Sequence, residues 1–255
     1  MTTILVTGGS GGLGSELVPR LAAAGHTVRV LSRRPRPPSA TTEWAQGELA
    51  TGEGLAEAVA GVDMIVHAAS SPFGKTRQVD VEGIRRLLAA AAPATPHLFY
   101  ISIVGVDRIP FPYYRAKLAA EKLVEESAVP YTILRATQFH TLIDRLLRNL
   151  VRFPVALVPK DLKFQVVDTG EVAETMAGYI SEGASGRVPD MGGPEVLSLG
   201  AMAREWLRAR HRRALLFHLP LPGRAAAAFR RGLNCTDSGT HGAITWAEWL
   251  QRTYG

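Results

Sequence analysis

The stretch Thr3-Ile4-Leu5-Val6-Thr7-Gly8-Gly9-Ser10-Gly11-Gly12-Leu13-Gly14-Ser15 decides how the rest of the chain is read. Its first five residues are β-branched or apolar, the composition of a buried strand. Five of the next seven are glycine, and an amphipathic segment over residues 15–24 follows. Strand, glycine turn and helix in that order form the setting of a dinucleotide-binding loop. Glycine lets the backbone turn sharply and come close to a pyrophosphate. The first N–H groups and the dipole of the helix then hold the anion. Residues 9–14 fit GxGxxG, whereas Thr7 with Gly8, Gly11 and Gly14 gives TGxxGxxG. Thr7, Gly8, Ser10, Gly11, Gly12, Leu13 and Gly14 are therefore candidate cofactor-binding residues.

Outward from this loop, residues 26–31 alternate in hydropathy and predict a second strand, ending in Ser32-Arg33-Arg34-Pro35. An acidic residue at this distance from the loop would hold ribose hydroxyls. Ser32, Arg33 and Arg34 stand there instead, and guanidinium groups suit a 2′-phosphate. NADP(H) is thus expected in preference to NAD(H). Residues 35–42 read as a Pro/Ser/Thr-rich loop and residues 42–46 as a short third strand, followed by Gly47-Glu48-Leu49. Residues 55–60 look helical. Residues 62–67 read as strand four, running into Ala68-Ala69-Ser70-Ser71, whose small side chains let a flat ring approach the backbone. His67, with no obvious partner, reads as structural.

Helices are expected over residues 79–92 and 111–127, with strands at 98–102 and 131–135. Strands alternating with helices argue for an α/β chain built on a doubly wound parallel sheet. Further on, helices are expected over 139–151, 169–181, 199–210, 225–231 and 244–254, with short strands at 155–158 and 164–167. A cofactor half of about residues 1–137 and a small C-terminal substrate-binding lobe of about 138–255 make up a single domain.

Tyr113 and Lys117 are four residues apart on one expected helix, which places them on the same face. Ser102 ends the strand before that helix. Ligands of doubly wound sheets bind at the carboxyl ends of the strands. A phenol near pKa 10 is a weak acid at neutral pH, and a neighbouring ammonium should lower that value. Tyr113 is then a candidate proton donor, Lys117 its activator and a ribose contact, and Ser102 a donor to the substrate oxygen. Thr137 and Gln138 follow the sixth strand, and Phe139 and His140 after them are candidate substrate contacts.

These residues resemble the short-chain dehydrogenase/reductase superfamily, and within it the atypical NAD(P)H-binding branch related to NmrA-like proteins. The resemblance rests on residues 7–14, 47–49, 100–107, 113–121 and 131–140. It implies a Rossmann-type fold with Ser102, Tyr113 and Lys117 as the catalytic set. It also implies that Glu48, Leu49, Ala68, Ala69 and Ser70 border the cofactor. Glu48 stands where that branch usually has aspartate.

One cysteine, Cys235, excludes an internal disulfide, and no apolar run reaches membrane-spanning length. The first strand begins at once, leaving no room for a signal peptide, so a cytoplasmic protein is expected. Net charge is +6, with a dense cluster at Arg204, Arg208, Arg210, Arg212 and Arg213. No nucleic-acid motif accompanies it, and it reads as a solvated helix face. No metal site, nucleic-acid partner or membrane partner is expected; a small-molecule substrate is, and a homodimer is left open. The function these features point to is an NADPH-dependent oxidoreductase acting on a carbonyl or related group of a small organic molecule. The alternatives are a non-catalytic NADP(H) sensor and a redox-neutral epimerase or isomerase.

Overall fold

A computed structural model describes residues 2–36, 42–72, 74 and 76–255. Of the Pro/Ser/Thr-rich loop expected at 35–42, residues 37–41 lie outside the described residues. In chain order the elements are β1 (Thr3–Thr7), α1 (Gly12–Ala23), β2 (Thr27–Ser32), β3 (Thr42–Gln46), α2 (Leu55–Val59) and β4 (Met64–His67). A π-helical turn (Arg77–Glu82) leads into α3 (Gly83–Ala91), then β5 (His97–Ile103), α4 (Pro112–Glu125), β6 (Tyr131–Ala136) and α5 (His140–Leu150). The remainder is β7 (Val155–Val158), β8 (Lys163–Phe164), α6 (Thr169–Glu182), β9 (Gly186–Arg187), β10 (Met191–Gly192), β11 (Leu197–Ser198), α7 (Leu199–Ala209), β12 (Leu215–His218), α8 (Arg224–Arg230), β13 (Thr240–His241) and α9 (Trp246–Tyr254).

Two compact units share the chain. The first holds Met1–Ser102, Pro112–Leu134 and Val172–Val188; the second holds Ile103–Phe111, Arg135–Glu171 and Pro189–Gly255. The division is not one cut near residue 137, because residues 103–111 belong to the second unit and 172–188 return to the first.

In the first unit the strands run in the order β6-β5-β4-β1-β2-β3, with β9 beside β6. The β1, β2, β3 and β4 pairings and β4 with β5 are parallel, Ile4 facing Val28 on one side and Met64 on the other. This is the doubly wound Rossmann-type sheet. Ile4, Leu5 and Val6 are fully buried, as strands covered on both faces must be. Helix α1 carries Pro19 in its interior, which removes a backbone donor. Leu13, Leu17 and Leu21 hold the helix in place by burying one stripe. Ile84, Leu87, Leu88 and Ala91 of α3 pack into the core with Leu5, Ile65, Leu98 and Tyr100.

The helix expected over 79–92 opens as the π-helical turn, which adds a residue to the turn around the buried Asp80. The strand expected over 164–167 shrinks to Lys163–Phe164. The Gln165 side chain there bonds the Gly193 carbonyl and both backbone groups of Thr236, tying loops together in place of a ladder.

In the second unit, Met202, Trp206, Trp246 and Leu250 form a core with Ile143, Leu147 and Val166. Strand β12, not expected from the sequence, pairs in parallel with β7. The buried Asp144 carboxylate accepts from Trp206 Nε1 at 2.7 Å and from Tyr254 Oη at 2.5 Å, with Arg148 beside it. Helix α9 is held at its start by a capping box between Thr245 and Glu248.

Candidate dinucleotide site

The site is built at the carboxyl end of β1. Gly8 has φ +74°, a left-handed conformation that disfavours any side chain. A Cβ on it would also lie 2.6 Å from the Ala69 nitrogen and 2.7 Å from the Ala68 carbonyl carbon. A Cβ on Gly14 would strike the Gly8 carbonyl and the Gly9 backbone, so α1 can start against the loop only with glycine there. Gly11 N–H donates to the Gly8 carbonyl at 2.9 Å and closes the turn. Helix α1 has no side-chain cap at Gly11 and no acid in its first turn, leaving its positive end for an anion.

A cavity of about 820 Å³ opens beside this loop. Of the expected cofactor residues, Gly8, Ser10, Gly11, Ser32, Arg33, Arg34, Glu48, Leu49, Ala68, Ala69 and Ser70 line it. Among the described residues no carboxylate pairs with Arg33 or Arg34; Ser32 Oγ donates to the Arg34 carbonyl at 2.8 Å. Thr7, Gly12, Leu13, Gly14 and Lys117 are not part of the cavity wall. Thr7 is fully buried, its hydroxyl 2.8 Å from His67 Nδ1, and Leu13 belongs to the core. His67 is structural, stacked on Tyr100, and burial pushes its pKa down to about 3. The wall also includes Gly47 and Ser71 from the segments noted above, and Arg36 and Val79, to which no motif points. Arg36, at 5.0 Å over the Trp44 ring, was the one accessible from sequence, as a third cation after strand two. A cradle that any Cβ would fill, an uncapped helix start and unpaired arginines on the same cavity fit a phosphorylated dinucleotide.

On the wall, Ser70 Oγ lies 2.7 Å from Tyr113 Oη and donates to Asp80 Oδ1 at 2.5 Å. With its one proton on Asp80, Ser70 accepts from Tyr113. Asp80, 1% exposed, also accepts from Ser71 N–H at 2.9 Å. No motif in the sequence points to Asp80. Its spacing to Ile84, Leu87 and Ala91 places it on the buried stripe of that segment, and a carboxylate there was the available signal.

Lys117 is buried, and its Nζ donates to the Ile101 carbonyl at 2.7 Å, 4.1 Å from the Tyr100 ring centre. Burial lowers its pKa to about 8, against the upward pull of Asp80 and Glu121. Tyr113 departs from expectation. Burial holds its phenol above the ordinary value near 10, the Ser70 hydrogen bond working against that rise and Asp80 adding to it. Lys117 Nζ faces the Ile101 carbonyl and is not among the groups that shift Tyr113, so the phenol stands above its ordinary value where a lowered one was expected. Ser102 is 3% exposed, and its Oγ has no hydrogen-bond partner among the described residues.

In the second unit, Phe139 stands at the residue before α5, in extended backbone, and is half-buried. His140 is 1% exposed and stacks on Trp246 and Trp249 at ring-centre distances of 5.9 and 5.5 Å. Burial lowers its pKa to about 4. The His140 ring is thus held against tryptophan rings. Thr137 Oγ1 accepts from Gly193 N–H, and Gln138 Oε1 accepts from Asn234 Nδ2.

Residues 8–179 match the model of the NAD(P)H-binding family, and the chain belongs to it. The fold is that of short-chain dehydrogenases/reductases. The chain is 29% identical over 208 residues to a (4-alkanoyl-5-oxo-2,5-dihydrofuran-3-yl)methyl phosphate reductase of Streptomyces griseus, covering 76% of this chain and 69% of that one. It is 26% identical over 186 residues to the photosystem II assembly factor Ycf39 of Trieres chinensis, covering 68% and 57%. Its match spans about half the length of several curated relatives. Among solved structures, the NADPH-dependent quinone oxidoreductase QOR2 of Escherichia coli superposes with a TM-score of 0.77 at 21% identity, covering 99% of this chain and all of that one.

Proposed function

We propose that this protein is an NADPH-dependent oxidoreductase that reduces a carbonyl or related group of a small organic molecule. One observation carries the reading: Ser70 lines the cofactor cavity and also holds the hydroxyl of Tyr113. The proton-donor candidate thus sits one hydrogen bond from the cavity wall. The glycine loop and α1 would hold the pyrophosphate, with Arg33 and Arg34 on the 2′-phosphate and Glu48 and Leu49 beside the adenine. Bound NADPH supplies the hydride.

Tyr113 holds the proton that the reduced oxygen must receive. Its raised pKa keeps it protonated at neutral pH, the state a reductase needs, and it yields that proton only to a developing alkoxide, a strong base. The Ser70 hydroxyl can then turn from Asp80 to donate to the phenolate. Ser102, with an unspent buried hydroxyl, is the proposed donor to the substrate oxygen. A screen of NADPH oxidation against quinones, aldehydes and ketones tests the proposal, with Tyr113→Phe as the control variant.

A sensor is the second reading. It is favoured by the likeness to a relative named as an assembly factor. It predicts NADPH binding with no oxidation by any member of the panel.

A further inference from the structure

Strands β7 and β12 form a two-stranded parallel ribbon within the second unit, with Leu215 opposite Val155 and Phe217 opposite Leu157. Alternation sends Ala156 and Val158 into the core, and Leu216 packs against it. The other face is apolar and open. Val155 is 55% exposed, Leu157 56%, Leu215 65% and Phe217 53%, and Phe153, just before β7, is 70% exposed. Five large apolar side chains in one continuous row are more than the scattered exposures normal for a protein surface.

The surroundings of this row are cationic. Arg152 precedes Phe153, and Arg212 and Arg213 precede β12. Parallel pairing brings these segments to one end of the ribbon, where Leu215 N–H bonds the Pro154 carbonyl and Arg212 bonds the Arg152 carbonyl. All three arginines are exposed, and among the described residues none pairs with a carboxylate. Thirteen of the chain's 29 lysines and arginines fall in residues 144–163 and 204–231, with only three of its 23 acids. Those two segments carry +10, and the rest of the chain carries −4.

We propose that this ribbon docks the protein on an anionic lipid bilayer surface, the apolar row entering the headgroup boundary and Arg152, Arg212 and Arg213 facing lipid phosphates and carboxylates. Charge complementarity selects this occupant. Among the described residues no helix is long and apolar enough to cross a membrane, and docking of this kind requires none. It departs from the sequence reading of the arginine cluster as merely solvated and of the protein as lacking a membrane partner.

The test is flotation of the full-length chain with vesicles of phosphatidylcholine alone and of phosphatidylcholine mixed with phosphatidylserine. Binding is expected with the mixed vesicles only, weakening as salt is raised. Leu157→Ser/Phe217→Ser and Arg152→Ser/Arg213→Ser should each lower the partition about tenfold or more. Circular dichroism melts check that each variant folds, and Val155→Ser/Leu215→Ser is the substitute pair if the first does not. The proposal is overturned by no binding to mixed vesicles at low salt, or by equal binding to both vesicle types. Loss on removing the arginines with no loss on removing the apolar pair also overturns it. So does a dimer in sedimentation velocity that Leu157→Ser/Phe217→Ser dissociates, which would make a second copy the occupant.

Discussion

Ser70 Oγ and Tyr113 Oη lie 2.7 Å apart, and the proton of that serine is committed to Asp80. Two elements distant in sequence are thereby joined: the loop after β4, which lines the cofactor cavity, and the first turn of α4. The joint orients the phenol, and burial keeps it protonated. Such a group serves reduction better than oxidation, because a donor must hold its proton until the substrate oxygen turns basic.

Tyr113→Phe removes that hydroxyl and keeps the ring. On the proposed mechanism turnover should fall by roughly 10²–10⁴-fold, with NADPH affinity near normal. Tyr113 stays protonated between neutral pH and pH 9 and should contribute no alkaline decline there; a fall in reductive turnover centred near pH 8 would report Lys117. Unchanged turnover in the variant, with a reactive substrate in hand, would show that the proton comes from another group.

Arg33 and Arg34 line the cavity with no carboxylate beside them among the described residues. A charge-assisted hydrogen bond contributes about 1.5–3 kcal/mol. Replacing both by alanine should therefore weaken NADPH binding at least tenfold, order of magnitude, and leave NADH binding nearly unaltered. Titration calorimetry with both cofactors checks this; equal affinity for the two in the unaltered protein would falsify the 2′-phosphate assignment.

At Gly8 the backbone has φ +74°, and a methyl would press on Ala68 and Ala69. Gly8→Ala should destabilise the fold by about 1–3 kcal/mol, the cost of a strained backbone position. It should also reduce cofactor binding, because the two loops it separates both line the cavity. Chemical denaturation beside a binding titration reads both effects. An alanine variant as stable as the parent would show that the loop relaxes freely.

His140 contributes to acid lability. Its pKa falls from 6.5 to about 4 on folding, chiefly through burial. Between those values the unfolded chain binds a proton that the folded chain refuses, so stability decreases as pH drops through that window. His67, lowered to about 3, acts in the same direction. His140→Phe keeps a flat ring beside Trp246 and Trp249 and removes one titration. Urea midpoints measured from pH 7 to pH 4 should decline less steeply in the variant, and an identical slope would assign the lability to other groups.

The sequence by itself determined the local features. The run Thr3–Thr7, the glycines after it and the apolar stripe of α1 are constrained by chain chirality and by periodicity over a few residues, and the structure has the elements they imply. The same holds for the strand–helix alternation of the first unit, and for Arg33, Arg34 and Glu48 on the cavity wall, which follow from distance along the chain to strand ends. Tertiary structure decided which of these groups face one another. It set Asp80 under Ser70, gave Lys117 to the Ile101 carbonyl, and placed His140 against tryptophans about a hundred residues later. It also paired Val155–Val158 with Leu215–His218, exposing a row that alternation alone could have buried. The reason is physical: backbone propensity acts between neighbours, whereas burial, pKa and hydrogen-bond partners are set by whichever groups packing brings within a few ångströms.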